Sequence, residues 1–311
     1  MAALVISLNP AVDCEWRVKA VLPEEKNEIL EEVRWPGGKG INVARWLTWL
    51  AEPNRLFLPL GGDTGRELAQ GLRAEGLTFS RFPLKEPNRV NVVVTQESGP
   101  QFRFNQTRPQ LDRATSRRLV ARAAELARRG DPVVISGTLA FGAPAESYAQ
   151  IAATARRARR RVFLDCDREP FNRALQESPF LVKPNEFELA QWAGRKLSSL
   201  EAVARAAAEL SRVTGGYVLV SRAGSGALLV SEKAGIQLSA GVPAVNVRNT
   251  VGAGDAMLAG AIAASNRSDQ PAKWLRWAIA TGCAATEVPP GKLPTRRRWQ
   301  QLLREVPLVS F

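Results

Sequence analysis

Pro132-Val133-Val134-Ile135-Ser136 is a short apolar run between two helical patterns, over 116–129 and 145–159. The same rhythm continues outward from it. Val162-Phe163-Leu164-Asp165 follows the second helix, a strand over 181–183 precedes a helix over 186–193, and a helix over 200–213 leads into a strand over 217–221. Apolar strands of three to five residues that alternate with helices belong to a mainly parallel central sheet with helices on both faces. The fold class is α/β.

Toward the N-terminus the rhythm loosens. A strand over 3–8 stops at Asn9-Pro10, and extended pieces over 14–18 and 27–34 flank Pro23. The cluster Gly37-Gly38-Lys39-Gly40 opens a helix over 42–50; a strand over 56–60 and a helix over 64–75 follow. Segments 90–95 and 101–104 read as a hairpin around Ser98-Gly99-Pro100. The extended pieces predict a small β-sheet lid from 12–34 and 88–106, set on a body of 1–11, 35–87 and 107–311.

The 311 residues carry 43 Lys+Arg against 30 Asp+Glu, a net charge of +13, and no histidine. Ser-His-Asp triads, Cys-His dyads and His-ligated metals are excluded. Acid–base chemistry falls to carboxylates, lysine, tyrosine or cysteine. Cys14, Cys166 and Cys283 are odd in number and widely spaced, which suits a reducing compartment rather than a disulfide framework. Cys166 adjoins Asp165 and reads as a buried structural thiol in preference to a reactive one. The opening Met1-Ala2-Ala3-Leu4-Val5 lacks a basic leader region, and the apolar stretch 255–265 is too short to span a bilayer. A cytoplasmic protein without a membrane partner is expected. The positive charge suits nucleic acid or a solvated arginine-rich surface. Its runs, Arg156-Arg157, Arg159-Arg160-Arg161 and Arg296-Arg297-Arg298, lack interleaved aromatics apart from Trp299. Nucleic acid is therefore the rival partner, not the expected one. Trp46, Trp49, Trp274 and Trp277 stand at helical spacings that suit packing.

Two stretches carry chemistry. In Asn249-Thr250-Val251-Gly252-Ala253-Gly254-Asp255 two glycines precede an apolar helix over 256–264. Backbone N–H groups can converge there on an anion, beside a carboxylate able to accept a hydroxyl proton. Spacing alone is better met by a helix start whose dipole an aspartate complements. The run is neither a Walker A loop nor GxGxxG. In Gly37-Gly38-Lys39-Gly40-Ile41-Asn42 the bare backbone admits a polar ligand closely. Lys39 reads as a phosphate ligand or as a solvated lysine.

These two stretches resemble the characteristic motifs of the PfkB (ribokinase-like) carbohydrate kinases. Asn9-Pro10-Ala11-Val12-Asp13, Gly61-Gly62-Asp63-Thr64-Gly65, Ser136-Gly137-Thr138-Leu139 and Lys183-Pro184-Asn185-Glu186-Phe187-Glu188 match in order. The opening and the Lys-Pro-Asn stretch look most like the hexose-phosphate branch, which holds the 1-phosphofructokinases and tagatose-6-phosphate kinases. The resemblance implies a ribokinase-like fold and ATP-dependent transfer to a phosphorylated ketohexose, fructose 1-phosphate first. Tagatose 6-phosphate, fructose 6-phosphate, an unphosphorylated sugar or a nucleoside are the alternatives. A nucleic-acid-binding or regulatory protein on a kinase fold stands further off.

The resemblance also implies roles. Asp255 would be the catalytic base, with Gly252, Ala253 and Gly254 as the anion hole. Asp13, Gly37, Gly38, Asn42 and Thr138 would meet the sugar. Arg89 and Lys26, with Arg103 as a weaker match, would meet its phosphate. Lys183, Asn185, Ser221, Gly226 and Thr250 would line the nucleotide, and Asn185 with Glu188 would order Mg²⁺ through water or phosphate. Asp165 would lie near the reacting centre. A homodimer through the lid is implied as well. The chain departs from the pattern at Ser221-Arg222-Ala223-Gly224, where the glycine is displaced by one, at Ala140-Phe141-Gly142, and at Asp167-Arg168-Glu169.

Overall fold

The structure, a computed structural model, describes residues 2–107 and 109–309. Ten strands form the main sheet in the order β14-β13-β12-β11-β10-β9-β8-β1-β4-β5. Seven run parallel: β1 (Ala3–Ile6), β4 (Asn54–Gly61), β5 (Phe79–Leu84), β8 (Val133–Ser136), β9 (Val162–Asp165), β10 (Leu181–Val182) and β11 (Tyr217–Ser221). One edge turns antiparallel through β12 (Ala227–Ser231), β13 (Ile236–Ala240) and β14 (Leu308–Val309).

Side chains alternate between the two faces, as the pleat requires. Val5, Leu56, Leu58, Val134, Phe163 and Leu219 enter one core. Their neighbours Leu4, Ile6, Phe57, Val133, Ile135, Leu164 and Val218 enter the other. The first core is roofed by α1 (Lys39–Trp49), α2 (Gly62–Ala74), α8 (Ala253–Ser265), α9 (Pro271–Thr286) and α10 (Arg296–Glu305). The second is roofed by α3 (Arg113–Ala127), α4 (Ser147–Arg157), α5 (Arg168–Leu175), α6 (Glu186–Ala193) and α7 (Leu200–Thr214). Every residue of α8 from Asp255 to Ser265 is buried, so this helix is apolar all round rather than amphipathic.

A second sheet has the order β3-β2-β6-β7, from β2 (Ala11–Val18), β3 (Ile29–Gly37), β6 (Arg89–Gln96) and β7 (Phe102–Asn105). The hairpin read from the sequence is the antiparallel β6–β7 pair. This sheet exposes Ile29 and Leu30 on β3 and Phe102 and Phe104 on β7.

Trp46, Trp274 and Trp299 are buried and pack edge-on with aromatic neighbours, so the tryptophans are structural. No helix among the described residues is long and apolar enough to cross a membrane.

Candidate active site

The site collects at the carboxyl ends of the parallel strands, where the loops after β1, β8, β9, β10 and β11 meet the starts of α1, α6 and α8. Open α/β sheets place ligands at this edge. Asn249 turns the chain into α8, with its side chain accepting from the Val251 N–H at 2.9 Å. Gly252 then caps the helix at φ 79, a left-handed conformation that favours glycine. Of the first-turn residues, Ala253 donates its N–H to the Thr250 carbonyl at 3.4 Å, and Ala253 and Gly254 line the cleft.

Asp255, in that first turn, is buried. Its Oδ2 accepts from Asn42 Nδ2 at 2.8 Å. Asn42 is itself held: its Oδ1 accepts from Arg45 Nη1 at 2.7 Å, and the buried Arg45 binds Glu75 through Nε at 2.7 Å and Nη2 at 3.0 Å. A fourth bond runs from Arg45 to the Pro36 carbonyl at 2.7 Å. The relay Glu75–Arg45–Asn42 fixes one carboxylate oxygen of Asp255 and leaves Oδ1 without a protein hydrogen bond among the described residues.

A second carboxylate lies close by with the opposite character. Asp165, 1% exposed, is bound by Lys39 Nζ at 3.0 Å on Oδ1 and approached by Lys183 Nζ at 3.2 Å on Oδ2. Burial pushes its pKa up, but the two ammonium groups outweigh burial and hold it below the usual carboxylate value. Burial and the charge of Asp165 together push Asp255 up to about 7, against the opposing pull of Lys39, Asn42 and Lys183. Two carboxylates whose pKa values are driven apart divide naturally into a fixed anion and a proton acceptor. Lys39 is thus an ion-pair partner rather than a solvated lysine, and Asp165 raises its pKa. The Lys183 ammonium lies beside Gly254, where a Cβ would stand 3.3 Å from it.

On the other flank, the Asp13 carboxylate occupies the space a Cβ of Gly37 would take. Asn91 Nδ2 donates to Asp13 Oδ1 at 2.9 Å, and burial raises the Asp13 pKa despite Asn91 and Arg89. Arg89 donates to the Asn9 carbonyl at 3.1 Å and to Asn91 at 3.3 Å, while its buried Nε has no partner among the described residues. Asn9 in turn donates to Thr138 Oγ1 at 3.1 Å. A small cavity joins Asp13, Asn42, Arg45 and Gly252.

A larger cleft of about 560 Å³ lies on the far side of Gly254. Asn185, Ser221, Gly226, Thr250, Ala253 and Gly254 line it, and Val242, Val245, Met257 and Ile279 make its walls apolar. Asn185 and Glu188 form a capping box on α6: Asn185 Oδ1 accepts from the Glu188 N–H and Glu188 Oε2 from the Asn185 N–H, both at 2.8 Å. Glu188 Oε1 remains, 3.9 Å from Lys39. Among the described residues no three of Asp, Glu, Cys or His converge as a metal cage. At the displaced glycine, Ala223 takes φ 47. The left-handed turn survives there without its glycine, and Ala223 and Arg222 line the cleft.

The sequence pattern of the pfkB family carbohydrate kinases matches residues 5–295. A 1-phosphofructokinase of Bacillus subtilis is 31% identical over 306 residues, covering 98% of this chain and 99% of its own. One of Rhodobacter capsulatus is 34% identical over 309 residues, covering 98% and 97%. The crystal structure of Escherichia coli phosphofructokinase-2 in complex with fructose-6-phosphate superposes with a TM-score of 0.87 at 28% identity, over 97% of this chain and 98% of that one. The chain belongs to the PfkB family of carbohydrate kinases.

As a PfkB kinase it has the ribokinase-like α/β fold and is a phosphotransferase acting on a hydroxyl. Around Asp255 the structure brings together Asn42, Lys39, Lys183, Asp165, Gly252 and Gly254. Asp13, Gly37, Arg89 and Thr138 gather on the second-sheet side, and Asn185, Ser221, Gly226 and Thr250 share one cleft, which Lys183 does not line. Lys26 stays apart: it is exposed in the β2–β3 connection, without a hydrogen bond or ion pair among the described residues. Arg103 is exposed on β7 and bonds only Gln101. Cys166 is buried and its thiol is pushed well up by burial, so it is inert. Arg45, Glu75 and Asn91 have site roles that went unread in the sequence. The signal for Arg45 was local: it stands one turn after Asn42 on the same helical face.

Proposed function

We propose that this chain transfers the γ-phosphoryl group of ATP to a hydroxyl of a phosphorylated ketohexose, converting fructose 1-phosphate to fructose 1,6-bisphosphate. The observation that carries this is the position of Asp255: buried, pushed up to about 7, bonded to Asn42, which lines one cavity, and next in chain to Gly254, which lines the other. A base poised near working pH is suited to accept a hydroxyl proton as phosphoryl transfer begins. Full-length likeness to two 1-phosphofructokinases sets the order of substrates. The likeness to a fructose-6-phosphate complex makes fructose 6-phosphate the second reading.

ATP with Mg²⁺ supplies the phosphoryl group and screens its charge. The apolar cleft suits the base, and the buried Lys183 beside Gly254 suits phosphate oxygens. Mg²⁺ fits a site with few protein ligands, near Glu188 Oε1 and Asn185, held mainly by phosphate and water. Asp13 and Asn42 orient the sugar. The attacking hydroxyl would pass its proton to Asp255 Oδ1 as its oxygen bonds the γ-phosphorus and the bond from that phosphorus to the β,γ-bridging oxygen breaks, leaving ADP. The N–H groups of Gly252, Ala253 and Gly254 hold the migrating phosphoryl oxygens. Arg89, with its unpartnered buried Nε, meets the phosphate already on the sugar, and Lys26 joins it if the lid closes. The lid is 12–34 and 88–106, on a body of 1–11, 35–87 and 107–311. A second copy covering the exposed Ile29, Leu30, Phe102 and Phe104 makes a dimer through the lid. Three free, buried cysteines suit the cytoplasm.

An ADP-release screen with Mg-ATP tests this. Fructose 1-phosphate is expected to give the highest kcat/KM over fructose 6-phosphate, tagatose 6-phosphate, fructose and nucleosides. Turnover with unphosphorylated sugars alone overturns the phosphate pocket.

A further inference from the structure

The opposite end of the main sheet, where β9, β10 and β11 begin, holds a second cavity of about 570 Å³. Five cations line it: Arg156, Arg159, Arg160, Arg161 and Lys233, with no Asp or Glu among the lining residues. Two of the five have a carboxylate in reach, Arg156 with Glu177 at 3.1 Å and Arg161 with Asp131 at 3.7 Å. Among the described residues the Arg160 side chain donates only to the Arg128 carbonyl, at 3.1 Å. Arg159 and Lys233 have no side-chain hydrogen bond or ion pair among the described residues.

Helices α4, α5 and α7 end beside this cavity, at Ala158, Gln176 and Gly215. Basic residues there complement helix C-termini, each worth about half a negative charge. Three such ends and the two carboxylates still leave the five cations in excess. The remaining wall mixes small and polar residues, Ser178, Thr214 and Ser231 among them, with two aromatics. Half-buried Phe180 and Tyr217 line the cavity, braced by Trp274 at 5.8 and 5.0 Å between ring centroids. The Tyr217 hydroxyl has no hydrogen bond among the described residues.

We propose that this cavity is a second anion site, separate from the catalytic cleft, that takes a small oligophosphate, either free or as the phosphate chain of a nucleotide. Arg159, Arg160 and Lys233 neutralise the phosphates, and the Tyr217 hydroxyl donates to them. Multiple cations without acid partners suit several linked phosphates better than one carboxylate. The volume matches that of the nucleotide-side cleft, so either source fits.

Isothermal titration with sodium tripolyphosphate in magnesium-free buffer tests the site on the full chain. The unaltered protein is expected to bind one equivalent at this cavity in addition to any bound at the catalytic cleft. Arg159→Gln/Arg160→Gln/Lys233→Gln loses that equivalent while kcat and the KM for ATP stay within twofold when Mg²⁺ is restored. Equal stoichiometry and affinity in both proteins overturn the proposal. If the triple variant fails to fold by circular dichroism, Lys233→Glu, in an exposed turn, carries the test: at least tenfold weaker binding of the extra equivalent supports the site, and unchanged binding overturns it. Repeating the titration with ATP separates the sources, since tighter binding than tripolyphosphate assigns a nucleotide and weaker binding the free oligophosphate. A 20-nucleotide RNA that binds these residues more tightly than tripolyphosphate overturns the small-ligand assignment.

Discussion

The two ends of the main sheet carry cavities of nearly equal size, about 560 and 570 Å³, built on opposite principles. At the carboxyl ends of the strands, charge is scarce, buried and paired. Asp165 is locked between two lysines, and Asp255, buried beside that anion, is pushed up to about 7. At the amino ends, charge is plentiful, exposed and largely unpaired. Burial makes a few groups reactive, whereas solvent leaves many groups merely attractive. Changes at the two ends should therefore differ in kind.

The largest effect belongs to Asp255→Asn. Loss of a positioned general base is expected to lower kcat by roughly 10²–10⁴-fold, read as sugar-dependent ADP formation. The same change should stabilise the protein. The folded state favours the protonated acid, so ionising Asp255 costs stability as pH rises from the usual carboxylate range toward 7. Asparagine removes that cost, and the melting temperature at pH 8 should exceed that of the unaltered chain. A lower value there would break the contrast between the two ends. Because the ionised form accepts the proton, kcat of the unaltered enzyme should rise through pH about 7 and fall about tenfold per unit well below it. A profile flat from pH 5 to 8 would remove Asp255 from the role.

Next comes Gly37→Ala. Its Cβ would take the place of the Asp13 carboxylate, so Asp13 must swing off Asn91. An increase in the sugar KM on the order of tenfold is expected, about 1.4 kcal/mol of lost orientation, with the KM for ATP unchanged. Arg45→Lys, which keeps the charge but not the planar fork, should lower kcat severalfold by releasing Asn42 from one side. Smallest of all is Arg157→Gln near the amino end, expected to leave kcat and both KM values within twofold.

Much of this was legible before any coordinates. Apolar runs such as Val133-Val134-Ile135 between helices announce parallel strands because only a sheet buried on both faces tolerates them. Asn249 to Asp255 marks a helix start with two glycines and an acid in the first turn. The Asn185–Glu188 box is equally local. By contrast, β12 and β13 went unread although Gly235 marks the turn between them and Ile-Gln-Leu-Ser-Ala alternates; two five-residue strands after a long helical rhythm are short signals, and their antiparallel place at the sheet edge is set by neighbours distant in sequence. The pairing of Lys39 and Lys183 on Asp165 spans 126 and 18 positions of chain, and Arg45 meets Glu75 thirty residues on. Such pairs depend on which strands become neighbours, which no window of sequence contains.

Helix α8, buried along its length from Asp255, has a consequence for timing. A helix enclosed on every side opens only with the domain as a whole, so its amides should be among the slowest in the molecule to exchange with solvent. The exposed strands of the second sheet should exchange orders of magnitude sooner. Asp255 is then a stationary anvil, and if it accepts the proton as proposed, the motion that brings a sugar hydroxyl onto it belongs to the side that carries Asp13 and Arg89.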